Sequence, residues 1–447
     1  MTTLMTPETD HDLRYAWYVV GVLMLAAVVS FIDRQILSLL IEPIRRDLKI
    51  SDTQVSLLAG LAFSLFYTVV GIPIARLADS SNRRNIIAVG ILVWSVMTAF
   101  CGLARNFPQL FIARVGVGVG EAALSPPAFS MIADYFPREK LGRAVAVFSL
   151  GVYMGVGLAL IIGGAVVNML SGPERLVLPI IGEVFAWQVA FLVVGFPGLL
   201  VVTLMMSVKE PRRRGGDDGK PAQAMPIKEV VAFLRRNQRT LVCHFIGFSL
   251  IGLVGVGFLV WVPTFFIRSF GWTAGDSGLA YGTIILVFAT AGVYAGGALA
   301  DYLSARGHGD ATLRAGVYAA LLSVPFCIAT PLMPTAELAL ASLAATSFTL
   351  AMPQALQAAA LQVIAPANLR AQLTAIYYLV ANFTAVGLGP TVVAVITDYI
   401  FVDPLALRYS LVIVGAVIAP ISAVFMGAGL KAFRSSVAAV NPQGPTV

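Results

Sequence analysis

The chain has 447 residues, 58% of them hydrophobic and 12% charged, with a formal net charge of +7 and a mean hydropathy of +0.86. A soluble domain carries about 25% charged residues, so a water-soluble globule is excluded and the solvent is lipid. The positive balance fits the basic loops of a membrane protein, and no nucleic-acid partner is expected.

About twelve spans of roughly 20 residues fit this length. The apolar runs are continuous, whereas barrel strands alternate over about 10 residues, so helices are expected. In chain order the predicted spans lie near residues 15–40, 52–76, 85–103, 108–134, 144–169, 184–207, 241–267, 278–302, 314–334, 337–362, 372–397 and 408–430. The N-terminal stretch MTTLMTPETDHDLRYAW has no basic region ahead of a short apolar one, so the first span is expected to be retained. Between the sixth and seventh spans lies KEPRRRGGDDGKPAQAMPIKEVVAFLRRNQR, the longest polar stretch. Its second part, PIKEVVAFLRR, reads either as a helix lying on the membrane surface or as a plain linker helix.

With both termini inside, 21 of the 30 Lys and Arg residues fall on the cytoplasmic side and seven outside. The remaining two, Arg34 and Arg114, sit within spans. This asymmetry predicts a multi-pass protein of the cell membrane with both termini in the cytoplasm. Cys101, Cys243 and Cys327 lie in apolar runs without paired spacing, so neither a disulfide framework nor a metal site is expected. His11, His244 and His308 are scattered; His244 reads as a plain interfacial residue.

An internal repeat is visible. ARLADSSNRR follows the second span and GGALADYLSAR the eighth, both with L-A-D at a helix end, in Asp79 and Asp301. FPREKLGRAVAVFSLGVYMG follows the fourth span and APANLRAQLTAIYYLVAN the tenth, with Pro, Arg and a small-residue helix in the same order. Two halves related in this way form a parallel repeat. The expected fold is an all-α membrane protein of twelve helices in two pseudo-symmetric six-helix bundles, residues 1–208 and 241–447. Residues 209–240 form a cytoplasmic linker between them.

These elements resemble the major facilitator superfamily over essentially the whole chain. The loop after the second span is similar to its G-x-L-A-D-R-x-G-R-R motif. Ala75, Ser80 and Asn82 depart from that pattern, while Asp79, Arg83 and Arg84 stand. The resemblance implies a cytoplasmic gate in which this loop latches one helix end to a neighbour across the seam between halves. FIDRQ in the first span, RVGVGVGEAALSPPA in the fourth and DYFPREKLGRA after it are similar to the Spinster branch. That branch includes transporters of sphingosine-1-phosphate and lysophospholipids; related branches carry organic anions. SLGVYMGVG, with Gly151, Gly155 and Gly157, resembles the superfamily's fifth-helix glycine motif and is expected to pack closely.

Within the spans, ionisable residues stand out. A charge at mid-span costs about 2.5–3.5 kcal/mol on insertion scales and is tolerated against a partner or a watery cavity. Asp33 and Arg34 are one residue apart, about 100° around a helix, so they serve two faces. Arg114 and Glu121 are seven apart and share a face, with Gly118 leaving that face open. Gly116 and Gly120 suit close helix approach. Desolvation favours a neutral acid and a nearby Arg an ionised one, so a carboxylate between these influences can exchange a proton. The Spinster resemblance implies that Asp33 and Glu121 couple protons and that Arg34 shares their network; Arg114 is a weaker addition. A static buried network that fixes packing is the competing reading. Tyr153, Gln354, Gln357, Tyr377 and Asn382 are polar residues of the cavity-lining type, for substrate or a neighbouring helix. Phe245, Phe248 and Trp261 are expected mainly on the lipid-facing surface.

The expectation is a monomeric, proton-coupled carrier, with no other cofactor, for a lysolipid or other amphipathic substrate surrounded by membrane lipids. The alternative is a symporter of small organic anions on the same fold. A nutrient sensor that no longer transports would bind without moving solute. An enzyme would need a catalytic constellation, which three isolated His residues do not supply.

Overall fold

The computed structural model describes residues 10–170, 175–178, 182–211, 227–366 and 369–440. The side chains of Asp79, Tyr153, Arg138 and His11, and residues 212–226 of the linker, lie outside the described residues. The first half contains α1 (Asp10–Leu39), α2 (Ile41–Leu48), α3 (Asp52–Ala59), α4 (Leu61–Ser80), α5 (Arg83–Cys101), α6 (Phe107–Glu121), α7 (Ser125–Tyr135), α8 (Arg138–Met169) and α9 (Ala186–Ser207). Helix α10 (Ile227–Arg236) leads into α11 (Gln238–Phe270), α12 (Ala274–Ile284), α13 (Thr290–Ala305) and α14 (Ala311–Leu332). Then follow α15 (Ala336–Ala351), α16 (Pro353–Ile364), α17 (Arg370–Ala381), α18 (Gly389–Val395), α19 (Leu407–Ile413) and α20 (Ala419–Val440).

Among the described residues eleven helical runs are long and apolar enough to cross a membrane. The fourth span, α6 with α7, makes the twelfth. It is interrupted because Pro126 and Pro127 donate no backbone hydrogen bond and bar regular helix just ahead of them. Tight turns carry the chain across, from Ala123 N to Gly120 O and from Leu124 N to Glu121 O. Glu121 therefore ends a helix in the middle of a span. The all-α expectation meets one difference: β1 (Arg175–Leu178) pairs antiparallel with β2 (Gly182–Phe185) between the fifth and sixth spans. This connection lies beyond the spans, and its short runs RLVL and GEVF suit a hairpin.

In lipid, helices associate through close packing of small residues rather than through a hydrophobic drive. A Cβ at Gly120 would lie 2.6 Å from Trp94 N, so the third and fourth spans touch backbone to backbone. The face at Gly118, expected to be open, is filled: a Cβ there would lie 2.6 Å from Phe63 O of α4. The two halves meet the same way. Gly60 faces Val386 O at 2.5 Å from its would-be Cβ, and Gly282 faces Gly157 O at 2.6 Å.

These seam contacts gather toward the face opposite the termini, here the far face. Arg268 at the end of α11 donates to Glu42 and Asp52 of the first half. The backbone N–H and hydroxyl of Thr53 donate to Asp398 Oδ2, each at 2.7 Å. On the terminal face the halves part: α7 packs on α1, α4, α5 and α8, and α16 on α11, α13, α14, α15, α17 and α20. Among the described residues both pack mainly within their own half, so the far face is shut and the halves stand apart on the terminal face.

Candidate functional site

Asp33 and Arg34 do serve two faces of α1. Asp33 is fully buried and its Oδ2 accepts from Thr98 Oγ1 on α5 at 3.3 Å. Arg34 turns the other way: its Nη2 donates to Glu121 Oε2 at 2.5 Å, and Ser30 Oγ donates to the same oxygen at 2.7 Å. The Arg34 guanidinium lies 4.0 Å from the Phe63 ring centroid, 4.9 Å from Phe31 and 5.9 Å from Tyr67. Aromatic faces attract a guanidinium through the ring quadrupole, so Arg34 is held by one anion and three rings. Its side chain keeps 21% exposure, while that of Glu121 has none.

Arg114 shares a helix face with Glu121 but pairs with neither acid. Its Nη1 donates to the Asp33 backbone O at 3.2 Å and its Nε to Leu58 O at 3.4 Å. It therefore ties α6 to the backbones of α1 and α3 while adding positive charge near both acids. Asp33 Oδ1, Glu121 Oε1 and Arg114 Nη2 are buried without a hydrogen-bond partner among the described residues. The two free carboxylate oxygens keep lone pairs able to take a proton, which is a chemistry that a fully paired structural network would not offer.

The second half gathers its polar residues separately. Tyr377 OH donates to Gln357 Oε1 at 2.5 Å, and Gln357 Nε2 donates to Gln354 Oε1 at 3.0 Å. His244, expected at an interface, is instead buried in this cluster, with Nε2 2.8 Å from Gln357 O. A carbonyl only accepts, so Nε2 carries the proton. Phe248 and Trp261 are buried as well, against the lipid-facing expectation, and the Trp261 indole N–H donates to Pro390 O at 2.9 Å. Phe245 is half-buried and packs on Tyr377. Hydropathy cannot separate a lipid-facing surface from a bundle interior, because both are apolar. Asn382 is half-buried at the start of a π-helical segment, Asn382–Leu388, and does not join the cluster.

Of the gate residues, Arg83 is buried and donates to Asp134 at 2.5 Å and Glu210 at 2.7 Å. Arg84 donates through its backbone N–H to Glu210 and through Nη1 to Met206 O. Asp134 and Met206 lie in the first half and Glu210 at the start of the linker, so Arg83 and Arg84 brace that half. Asp301 is exposed at the end of α13. The sequence reading missed Ser30, Thr98, the rings around Arg34 and the Arg268 latch. The signal for Arg268 was present: a cation at the end of an apolar span, opposite Asp52 at the start of another.

Residues 23–390 match the family model of the Major Facilitator Superfamily. Among curated proteins, the chain is similar to an MFS-type efflux pump of Mycolicibacterium smegmatis, 28% identical over 307 residues, covering 67% of this chain and 66% of that protein. It is also similar to a probable L-galactonate transporter of Escherichia coli, 26% identical over 63% of this chain and 60% of that one. Protein spinster of Drosophila melanogaster is 25% identical over 66% of this chain and 47% of its own length. The aligned regions thus span less than two thirds of these relatives. Among solved structures, a bacterial homolog to the human lysosomal transporter Spinster, inward-facing and unoccupied, superposes with a TM-score of 0.75. The two are 26% identical, over 95% of this chain and 97% of that one. With twelve spans in two halves, a seam shut on one face and a Spinster-like structural match, the chain belongs to the Major Facilitator Superfamily and is a multi-pass membrane protein similar to its Spinster members.

Proposed function

We propose that this transporter moves an amphipathic solute with an anionic or zwitterionic head, of the lysophospholipid or sphingoid-phosphate type, coupled to protons. The two halves rock about a central site in alternating access. With the termini in the cytoplasm, the present state is inward-facing. The reading rests on Arg34, the member of the buried set that keeps exposed surface while its charge is balanced by Glu121. An anionic head arriving at Arg34 competes with Glu121 for the guanidinium. A buried carboxylate that loses its cation is more stable protonated, so head binding and proton uptake are linked at one residue. Asp33 has no exposed surface in this state, so on this reading it exchanges its proton in another state of the cycle.

The test is flux of a lysolipid into reconstituted vesicles under an imposed pH gradient. Asp33→Asn and Glu121→Gln are expected to abolish the response to the gradient while the protein remains monodisperse. If both variants respond like the parent, the coupling assignment is wrong. A second reading, a symporter of small sugar acids, is favoured by the similarity to the L-galactonate transporter and to a hexuronate transporter of Bacillus subtilis. Thermal stabilisation of the purified protein by sugar acids alone, and not by lysolipids, would decide for it.

A further inference from the structure

A cavity of about 210 Å³ opens between α8, α11, α12 and α15, and Gln354 of α16 lines its edge. Val156, Leu259 and Leu350 supply apolar wall; Thr346, Ser347 and Gln354 supply polar groups. Thr346 already bonds Thr330 and the backbone O of Ser342. Ser347 Oγ is buried and has no partner among the described residues.

The polarity of Gln354 is set by the residues behind it. At 2.5 Å, the contact between Tyr377 OH and the Gln357 side chain is too short for an N–H donor and fits an O–H donating to oxygen. The Gln357 amide therefore points its oxygen at Tyr377 and its N–H₂ at Gln354 Oε1. His244 holds the Gln357 backbone from the other side. With its oxygen so engaged, Gln354 turns its own N–H₂ outward. No bond from Gln354 Nε2 to a described residue is present, so two donors remain for a ligand.

Helix α8 lies between this cavity and the rings around Arg34. Val156 follows Gly155, where a Cβ would lie 3.2 Å from Phe31 Cδ2, and the Phe31 ring is one of the three around the guanidinium. A neutral amide in a largely apolar, uncharged pocket is a poor seat for an anion, whose desolvation costs far more than one such bond returns. It is a good seat for an uncharged acceptor beside a hydrocarbon chain. We infer that Gln354 reads the acyl carbonyl, ester or amide, that joins tail to head in an anionic amphiphile, while Arg34 takes the charge. This specificity rests on the amphipathic-solute reading above.

The test compares binding of oleoyl lysophosphatidic acid and its O-alkyl ether analogue to the full-length protein in lipid nanodiscs. The two share charge and chain length and differ in the carbonyl. The parent is expected to bind the acyl lipid about fivefold more tightly, the worth of one neutral hydrogen bond. Gln354→Leu should bind both at the affinity of the ether. Gln354→Met, which keeps the side-chain length but offers no donor, should likewise bring the ratio toward one. Tyr377→Phe leaves the pocket wall intact and frees the Gln357 amide to turn, so the ratio falls while the ether still binds. Equal affinities in the parent, or a preference retained in Gln354→Leu and Gln354→Met, overturn this inference and leave the amphiphile reading standing. Binding of neither lipid by the parent overturns both.

Discussion

Arg268 closes the far face, and its removal should open it. Its side chain is 5% exposed, bonds Glu42 at 2.5 Å and meets both carboxylate oxygens of Asp52 at 2.6 and 2.7 Å; the Asp52 side chain has no exposed surface. Glu42 and Asp52 belong to the first half and Arg268 to the second, so the cluster exists only while the seam is shut. Removing one partner of a buried pair costs about 3–5 kcal/mol, because the other charge is left uncompensated. Arg45, with Nε 3.7 Å from Asp52 and Nη2 3.5 Å from Glu42, retains part of that compensation. Arg268→Met therefore belongs at the lower end, about 3 kcal/mol against the closed state. At about 1.4 kcal/mol per decade, the equilibrium moves roughly a hundredfold toward an open far face. Asp52→Asn leaves Arg268 paired with Glu42 and should move it less. Ser56→Cys reports the change, because Ser56 is buried at the seam with its hydroxyl 3.2 Å from Thr391 Oγ1. A membrane-impermeant maleimide applied from the far side should label this cysteine about a hundredfold faster in the Arg268→Met background, in line with that equilibrium shift. An unchanged labelling rate would refute the latch.

Glycine substitutions should divide according to which side of the seam they fall on. Gly282→Val sets a side chain against Gly157 O, 2.6 Å from the would-be Cβ, and should speed the same labelling reaction. Gly292→Ala and Gly296→Ala drive a Cβ into Phe348 O and Met352 O within the second half. They should lower the melting temperature, at a cost of about 1–3 kcal/mol for overpacking, without changing the labelling rate. Trp261→Phe removes the indole donor to Pro390 O and should cost about 1 kcal/mol in a denaturant or thermal unfolding series, with the far face still shut.

The architecture was legible because it depends on local signals. Continuous apolar runs gave the spans, and the paired L-A-D and Pro-Arg segments gave the two halves. The pair β1 and β2 carries no such signal, since each strand has four residues and sits between long helices. The divergence of Asp33 and Arg34 was legible for a similar reason: one step along a helix turns the side chain by about 100° whatever surrounds it. Which residue each would meet depends on how separate helices are rotated against one another. Arg114 shows this best, since its spacing from Glu121 places both on one face, yet it bonds the backbones of Asp33 and Leu58.

His244, Phe248 and Trp261 point to a more general difficulty in lipid. In a soluble protein an apolar side chain is evidence of the interior, because its alternative is water. Here its alternative is an acyl chain, and the energy difference that makes the pattern informative largely disappears. The informative atoms are then the polar ones carried on apolar side chains. The Trp261 N–H reaches Pro390 O, the His244 Nε2 reaches Gln357 O and the Tyr377 hydroxyl reaches Gln357 Oε1. Hydrocarbon offers none of these acceptors, and an unpaired polar group there is costly. An indole, imidazole or phenol deep in a span is therefore better evidence of a bundle interior than any number of neighbouring Leu and Val residues, and in this chain all three lead to the cluster or the helix that frames it.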